Sequence, residues 1–212
     1  MPDGAPAHGT RAVLFDLDGT LADTAADLGR AMNRMRRDRG LDELPIEQIR
    51  PYASGGARGL LQAGFGVASD NSAFAPMRDT FLSYYHQAVC VDTRLFPGMD
   101  RLLAGIEERG IAWGVVTNKA SRFTGRILAA LGLETRAACV VCGDTTPHLK
   151  PHPASLLHAT NHLGLAPKAC IYLGDDLRDI QAARAAGVRS VAVEWGYGSD
   201  LEDWNADRKS VV

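Results

Sequence analysis

Five short apolar runs, at 11–17, 111–117, 137–142, 169–173 and 188–193, set the rhythm of this chain. Between the later ones lie helix-like stretches at 121–131, 153–163 and 177–186. Most of these stretches close on a glycine before an apolar residue, as in Leu131-Gly132-Leu133, Leu163-Gly164-Leu165 and Ala186-Gly187-Val188. Glycine tolerates the left-handed conformation that stops a helix. Strands that are apolar throughout must be covered on both faces. The expected fold class is therefore α/β, a doubly wound parallel sheet with helices on either side.

One interval breaks the rhythm. From about residue 25 to 93 no strand pattern is visible, and helical patterns occupy 25–39, 45–52, 57–63 and 74–91. This is too long for a single crossover helix and reads as an inserted helical subdomain. The expected division is a flexible tail over 1–10, an α/β core over 11–23 and 94–212, and a helical insert over 24–93. A length of 212 residues suits one core with such an insert.

The formal charge of −2 gives no basic field for nucleic acid. No run approaches the roughly 18 apolar residues of a membrane helix. The first ten residues lack the basic start and apolar stretch of a signal peptide, so a cytoplasmic protein is expected. A monomer or homodimer is expected. The chain has four cysteines, too few for a disulfide scaffold. Cys139 and Cys142 form a CxxC, but in a strand-like run residues three apart point to opposite faces, and no second pair completes a zinc site.

In a doubly wound sheet, ligands bind at the carboxyl ends of the strands. Asp16, Asp18, Gly19 and Thr20 follow the first run. Thr117, Asn118 and Lys119 follow the second, Lys150 lies in the loop after the third, and Gly174, Asp175, Asp176 and Asp179 follow the fourth. Acids, lysines and small donors thus converge on one edge. Asp16 and Asp18 are two apart in an extended segment, which leans both side chains the same way. Crowded carboxylates need a cation, a proton or a reaction. The set suits phosphoryl transfer. One aspartate attacks phosphorus while the other handles a proton. Asp16 and Asp175 offer hard oxygen ligands for Mg²⁺. Lys150 supplies charge, and Thr117 with the amides near Gly19 and Asn118 supplies donors.

On four motifs in order, the chain resembles the haloacid dehalogenase superfamily over nearly its whole length. These are DLDGT at Asp16 to Thr20, Thr117-Asn118, Lys150-Pro151 and GDDLRD at Gly174 to Asp179. The resemblance implies Asp16 as nucleophile and Asp18 as general acid and base. It implies Mg²⁺ held by Asp16, the backbone carbonyl of Asp18 and Asp175, with Asp179 supporting that shell. It also implies that the helical insert is a mobile cap and that Gly19, Thr20 and Asn118 meet the substrate. Within the superfamily, LADTAADL, FPGM, TNK and LKPHPASL are most similar to phosphoglycolate phosphatases. RPYASGGARGLL and WGYG also resemble a sister group that dephosphorylates N-acetylmuramic acid 6-phosphate. Asp176 departs from the pattern, standing where many relatives carry serine.

The implied activity is a phosphatase acting on a small anionic phosphorylated metabolite, with 2-phosphoglycolate first and N-acetylmuramic acid 6-phosphate second. Arg58, after Ser54-Gly55-Gly56, is the insert residue best suited to a substrate carboxylate. A sugar-phosphate mutase would keep the same four motifs. A phospho-receiver domain would lack the insert, and a dehalogenase would have no use for Asp18 or Mg²⁺. The remaining features read as structure. Asp176 suits a helix start, and His158 with His162 lacks a zinc-protease glutamate. Arg30, Arg34, Arg36, Arg37 and Arg39 make a solvated basic face. Gly196-Tyr197-Gly198 has no third glycine and no βαβ unit after it.

Overall fold

The structure is a computed structural model that describes residues 9–198 and 201–210. The expected tail over 1–10 falls mostly outside the described residues. The first apolar run forms β1 (Ala12–Phe15), and the later ones form β4 (Ala112–Val116), β5 (Cys139–Val141), β6 (Cys170–Gly174) and β7 (Arg189–Val193). These strands pair in parallel in the order β5-β4-β1-β6-β7, and a short β8 (Arg208–Ser210) adds to the edge. β8 was not expected, because Arg-Lys-Ser carries no apolar signal.

Three helices confirm the glycine-terminated stretches: α6 (Ser121–Ala130), α7 (Ala154–His162) and α8 (Leu177–Ala186). A fourth, α5 (Met99–Glu108), lies before β4 and buries Met99, Leu103 and Ile106. Leu14, Val116, Cys139, Leu156 and Ala183 pack on one side of the sheet. Phe15, Leu103, Trp113, Val115 and Ile127 pack on the other. Cys139 and Cys142 are both buried and unbonded, in keeping with a structural role.

The interval without strands is helical: α1 (Ala25–Arg37), α2 (Ile46–Ile49), a 3₁₀ segment (Arg50–Gly55), α3 (Gly56–Phe65) and α4 (Phe74–Gln87). It is bracketed by a two-stranded antiparallel ribbon, β2 (Ala22–Asp23) against β3 (Arg94–Leu95). The return to the core is held by one carboxylate. Buried Asp27 accepts from the amides of Val91, Asp92 and Thr93 and from the Thr93 hydroxyl, at 2.6–3.2 Å. α4 is shorter than the expected 74–91, since Ala88 leaves the helical conformation at φ −140°, ψ 45°, and Cys90 follows at φ 60°. The basic face of α1 is solvated as expected at Arg34, Arg37 and Arg39, which are exposed, while Arg30 and Arg36 are half-buried. Arg34 lies over the Tyr84 ring at 3.9 Å, and Arg36 donates to the Gly64 carbonyl.

Candidate active site

β1 ends at Phe15, and the chain turns at once. The extended segment predicted to carry both Asp16 and Asp18 is therefore broken: Leu17 lies in a turn in which the Leu21 amide donates to the Asp16 carbonyl at 3.3 Å and the Ala22 amide to the Leu17 carbonyl at 2.9 Å. Both side chains still line one cavity. Gly19 has φ 91°, and a Cβ there would stand 2.1 Å from Asp175 Oδ2. Only glycine lets the first loop approach the end of β6 so closely.

Lys150 reaches this point from the loop after β5. Its Nζ donates to Asp16 Oδ1 at 2.7 Å, Asp179 Oδ1 at 2.6 Å and the Tyr172 hydroxyl at 2.7 Å. Asn118 clamps that loop: its side chain accepts from the Lys150 amide at 2.9 Å and donates to the Lys150 carbonyl at 3.0 Å. Asn118 lines the cavity, but its side chain is spent on placing Lys150. Thr20 likewise gives its hydroxyl to Asp175 Oδ1 at 2.8 Å, and the Gly19 amide is used within its own turn. Thr117 lines the cavity, and its Oγ1 accepts from the Lys119 amide at 3.1 Å.

Asp176 caps α8. Its side chain accepts from the Arg178 amide, and Asp179 Oδ2 accepts from the Asp176 amide at 3.1 Å. One carboxylate, Asp179, thus starts a helix with one oxygen and holds Lys150 with the other. Arg178 grips both oxygens of Asp176 at 2.7 Å and donates to the Ser54 carbonyl of the insert at 2.9 Å. Ser54 in turn donates to Asp175 Oδ2 at 2.8 Å. The Gly196-Tyr197-Gly198 loop packs against the same residue, the Tyr197 amide donating to Asp175 Oδ2 at 3.0 Å. Trp195 Nε1 donates to the Thr20 carbonyl at 3.0 Å. Trp195, Tyr197, Ser54 and Arg178 fall within the stretches WGYG, RPYASGGARGLL and GDDLRD, but the sequence assigns them no place at the site. A loop's partners across the sheet leave no local signal.

Asp16, Asp175 and Asp179 each offer an oxygen within 4.8 Å of the others, and all three are buried. Burial first, then Asp179 and Asp18, push the Asp16 carboxyl up to about 7 against the pull of Lys150. Burial, then Asp16 and Asp179, push Asp175 up to about 8. Burial would depress Lys150, but Asp16 and Asp179 overturn this and hold it above its ordinary value. One ammonium among three buried acids leaves negative charge uncompensated. The hard oxygen donors fit a divalent cation such as Mg²⁺.

The cavity has a volume of about 560 Å³ between the sheet edge and the insert. Its lining combines the polar groups Asp16, Asp18, Lys119 and Lys150 with the apolar side chains Phe74, Phe81, Leu82 and Phe123. Arg58, on α3, lines the mouth, is exposed and makes no ion pair among the described residues. His158 and His162 are exposed on α7 and take no part. No helix among the described residues is long and apolar enough to cross a membrane.

A parallel sheet with paired aspartates after its first strand, a clamped lysine and a second acidic pair after β6 defines a family of hydrolases. The model of the haloacid dehalogenase-like hydrolases matches residues 13–193, and the chain belongs to that family. It is 42% identical to an N-acetylmuramic acid 6-phosphate phosphatase of Pseudomonas aeruginosa, over 93% of this chain and 88% of the relative. It is 43% identical to a phosphoglycolate phosphatase of Xanthomonas campestris, over 93% and 90%. A crystal structure of a predicted phosphoglycolate phosphatase from Haemophilus somnus superposes with a TM-score of 0.82 at 28% identity, covering 94% of this chain and 92% of that one. Family and relatives agree with a phosphoric monoester hydrolase.

Proposed function

We propose that the chain is a Mg²⁺-dependent phosphatase that works through an aspartyl-phosphate on Asp16. The observation that carries this is the meeting of Asp16, Asp18 and Lys150 with the Asp175–Asp179 pair in one cavity. In this reading residues 24–93 are a cap over a core of 11–23 and 94–212, joined at the β2–β3 ribbon.

An Asp16 oxygen attacks phosphorus as the bond to the leaving oxygen breaks, and Asp18 gives that oxygen a proton. Asp18 then takes a proton from water, whose oxygen attacks the phosphoryl group, freeing inorganic phosphate and restoring Asp16. Lys150 fixes Asp16 by Oδ1 and offsets its charge. Thr117 and the loop amides are the donors left for phosphate oxygens. Asp16, Asp175, the Asp18 carbonyl and the supporting Asp179 would hold Mg²⁺, which when bound supplies positive charge where two anions meet.

2-Phosphoglycolate is the first candidate substrate, and Arg58 at the mouth is the group for its carboxylate. One observation favours the larger N-acetylmuramic acid 6-phosphate. A cavity of about 560 Å³ with an aromatic wall exceeds what a two-carbon ester needs and suits a sugar ring with side groups. Phosphate release from both esters with Mg²⁺, and again after chelation, tests the reading. A thousandfold preference for either names the substrate. Full activity without metal, or phosphate kept on an isomerised product, overturns the reading.

A further inference from the structure

The sequence places Lys119 in the strand-end cluster and in the TNK stretch, with no role of its own. The structure gives it a defined job. Its backbone is anchored, the carbonyl accepting from the Gly143 amide at 2.8 Å. Its side chain, only 8% exposed, crosses from the end of β4 to the turn after β1. There Nζ meets both oxygens of Asp18, Oδ1 at 2.8 Å and Oδ2 at 3.0 Å. Thr24 donates to Oδ1 as well, so among the described residues Lys119 is the sole donor to Oδ2. The last torsion of an aspartate is broad. Two-point contact fixes the carboxylate plane, and one hydroxyl alone does not.

The other side of the ammonium is covered by the insert. The Tyr85 ring, on α4, lies 4.9 Å from Nζ. It also packs 5.1 Å from Phe123 of α6, so it bridges insert and core. Its buried hydroxyl meets no partner in good hydrogen-bond geometry among the described residues but stands close enough to the Lys119 ammonium to interact with it, and Tyr85 lines the cavity with Asp18. Ring faces attract cations, more strongly where water is excluded.

We propose that Lys119 is the positioning residue for Asp18, and that Tyr85 completes the arrangement from the insert by covering the Lys119 ammonium. The inference rests on Asp18 as the proton donor to the leaving group. It adds that proton transfer depends on a core lysine and a cap aromatic that never need to touch the phosphate.

The test is the leaving-group dependence of kcat/KM, which for this two-step reaction reads events up to formation of the aspartyl-phosphate. A series without carboxylates, 4-nitrophenyl, phenyl and ethyl phosphate, keeps Arg58 out of the comparison. Loss of a working acid hurts poor leaving groups most. Lys119→Met is expected to lower kcat/KM for ethyl phosphate at least about tenfold more than for 4-nitrophenyl phosphate. Lys119→Arg, which keeps the charge but not the geometry, should fall between. Asp18→Asn is the reference. If it steepens the dependence while Lys119→Met lowers all three esters alike or none, the positioning role is overturned. If Asp18→Asn does not steepen it, the acid assignment of Asp18 fails first and the inference with it. Should Lys119→Met not fold, Tyr85→Leu carries the test, since it leaves both charges in place. It must steepen the dependence too, and a parallel fall would overturn the part given to Tyr85.

Discussion

Asp16 sits between opposed demands. A nucleophile must be ionised, yet burial beside Asp179 and Asp18 raises its carboxyl to about 7, and Lys150 only partly offsets this. Asparagine has the same shape but neither the charge nor the nucleophilic oxygen. Asp16→Asn is expected to abolish turnover, by about a thousandfold or more in kcat, because groups that act as a unit fail together. The fold should survive, since Lys150 keeps Asp179 and Tyr172 as partners. Steady-state kinetics with a circular dichroism melt check both halves; a tenth of the wild-type rate remaining would end the covalent reading. Arg58 asks for a different measurement. If it pairs with a substrate carboxylate, Arg58→Ala loses one charge-assisted contact of about 1.5–3 kcal/mol. That is roughly ten- to a hundredfold in kcat/KM for the carboxylate-bearing ester, at 1.4 kcal/mol per decade. 4-Nitrophenyl phosphate should be hydrolysed nearly as before. An equal fall for both would mean damage to the fold, and no fall for either would leave Arg58 a surface residue.

Among the elements, the join between core and insert depends on α1 more than on the ribbon beside it. The ribbon pairs only two residues with two, whereas Asp27 of α1 binds three successive amides and a hydroxyl at 91–93. Asp27→Ala would leave the buried Thr93 amide and hydroxyl unpaired, at about 1–3 kcal/mol for each, while the amides of the exposed Val91 and Asp92 can turn to water. A loss of about 3 kcal/mol or more in urea unfolding is expected, and a change under about 1 kcal/mol would show that water replaces the carboxylate. Neither Asp27 nor the ribbon was legible in the sequence. Two-residue strands have no periodicity, and a carboxylate that pairs 64 positions away has no local mark. The central strands were legible because burial on both faces makes them apolar throughout. β8, polar at all three positions, was not. α5 does carry a local signal, since Met99, Leu103 and Ile106 recur at helical spacing on one buried face. The acids, Lys150 and the capping role of Asp176 could be read because each follows its strand in order. Lys119 with Tyr85, and Arg178 with Ser54, could not, because only the packed fold brings them together.

The whole molecule folds three acids into one buried cluster, and this links stability to pH and to metal. Asp16 and Asp175 rise from an ordinary 3.8 to about 7 and about 8 in the folded protein without a cation. The folded state therefore holds protons that the unfolded chain releases. A raised carboxyl contributes stability that is fully present below its unfolded value, near 4, and is lost as pH rises through the folded value. The metal-free protein is thus expected to melt at progressively lower temperature from about pH 5 to about pH 8. This is opposite in sign to a protein whose acids are stabilised as ions. A divalent cation needs the deprotonated ligands and displaces their protons. Added Mg²⁺ should therefore raise the midpoint more at pH 8 than at pH 5, where protons compete for the same oxygens. Asp16→Asn removes one of the two raised acids and should flatten the metal-free profile. Differential scanning calorimetry across this range, with chelator and then with excess Mg²⁺, reads all three effects without any turnover. A metal-free midpoint that climbs with pH, or a Mg²⁺ shift equal at both ends, would show that the cluster is not the uncompensated negative site described above.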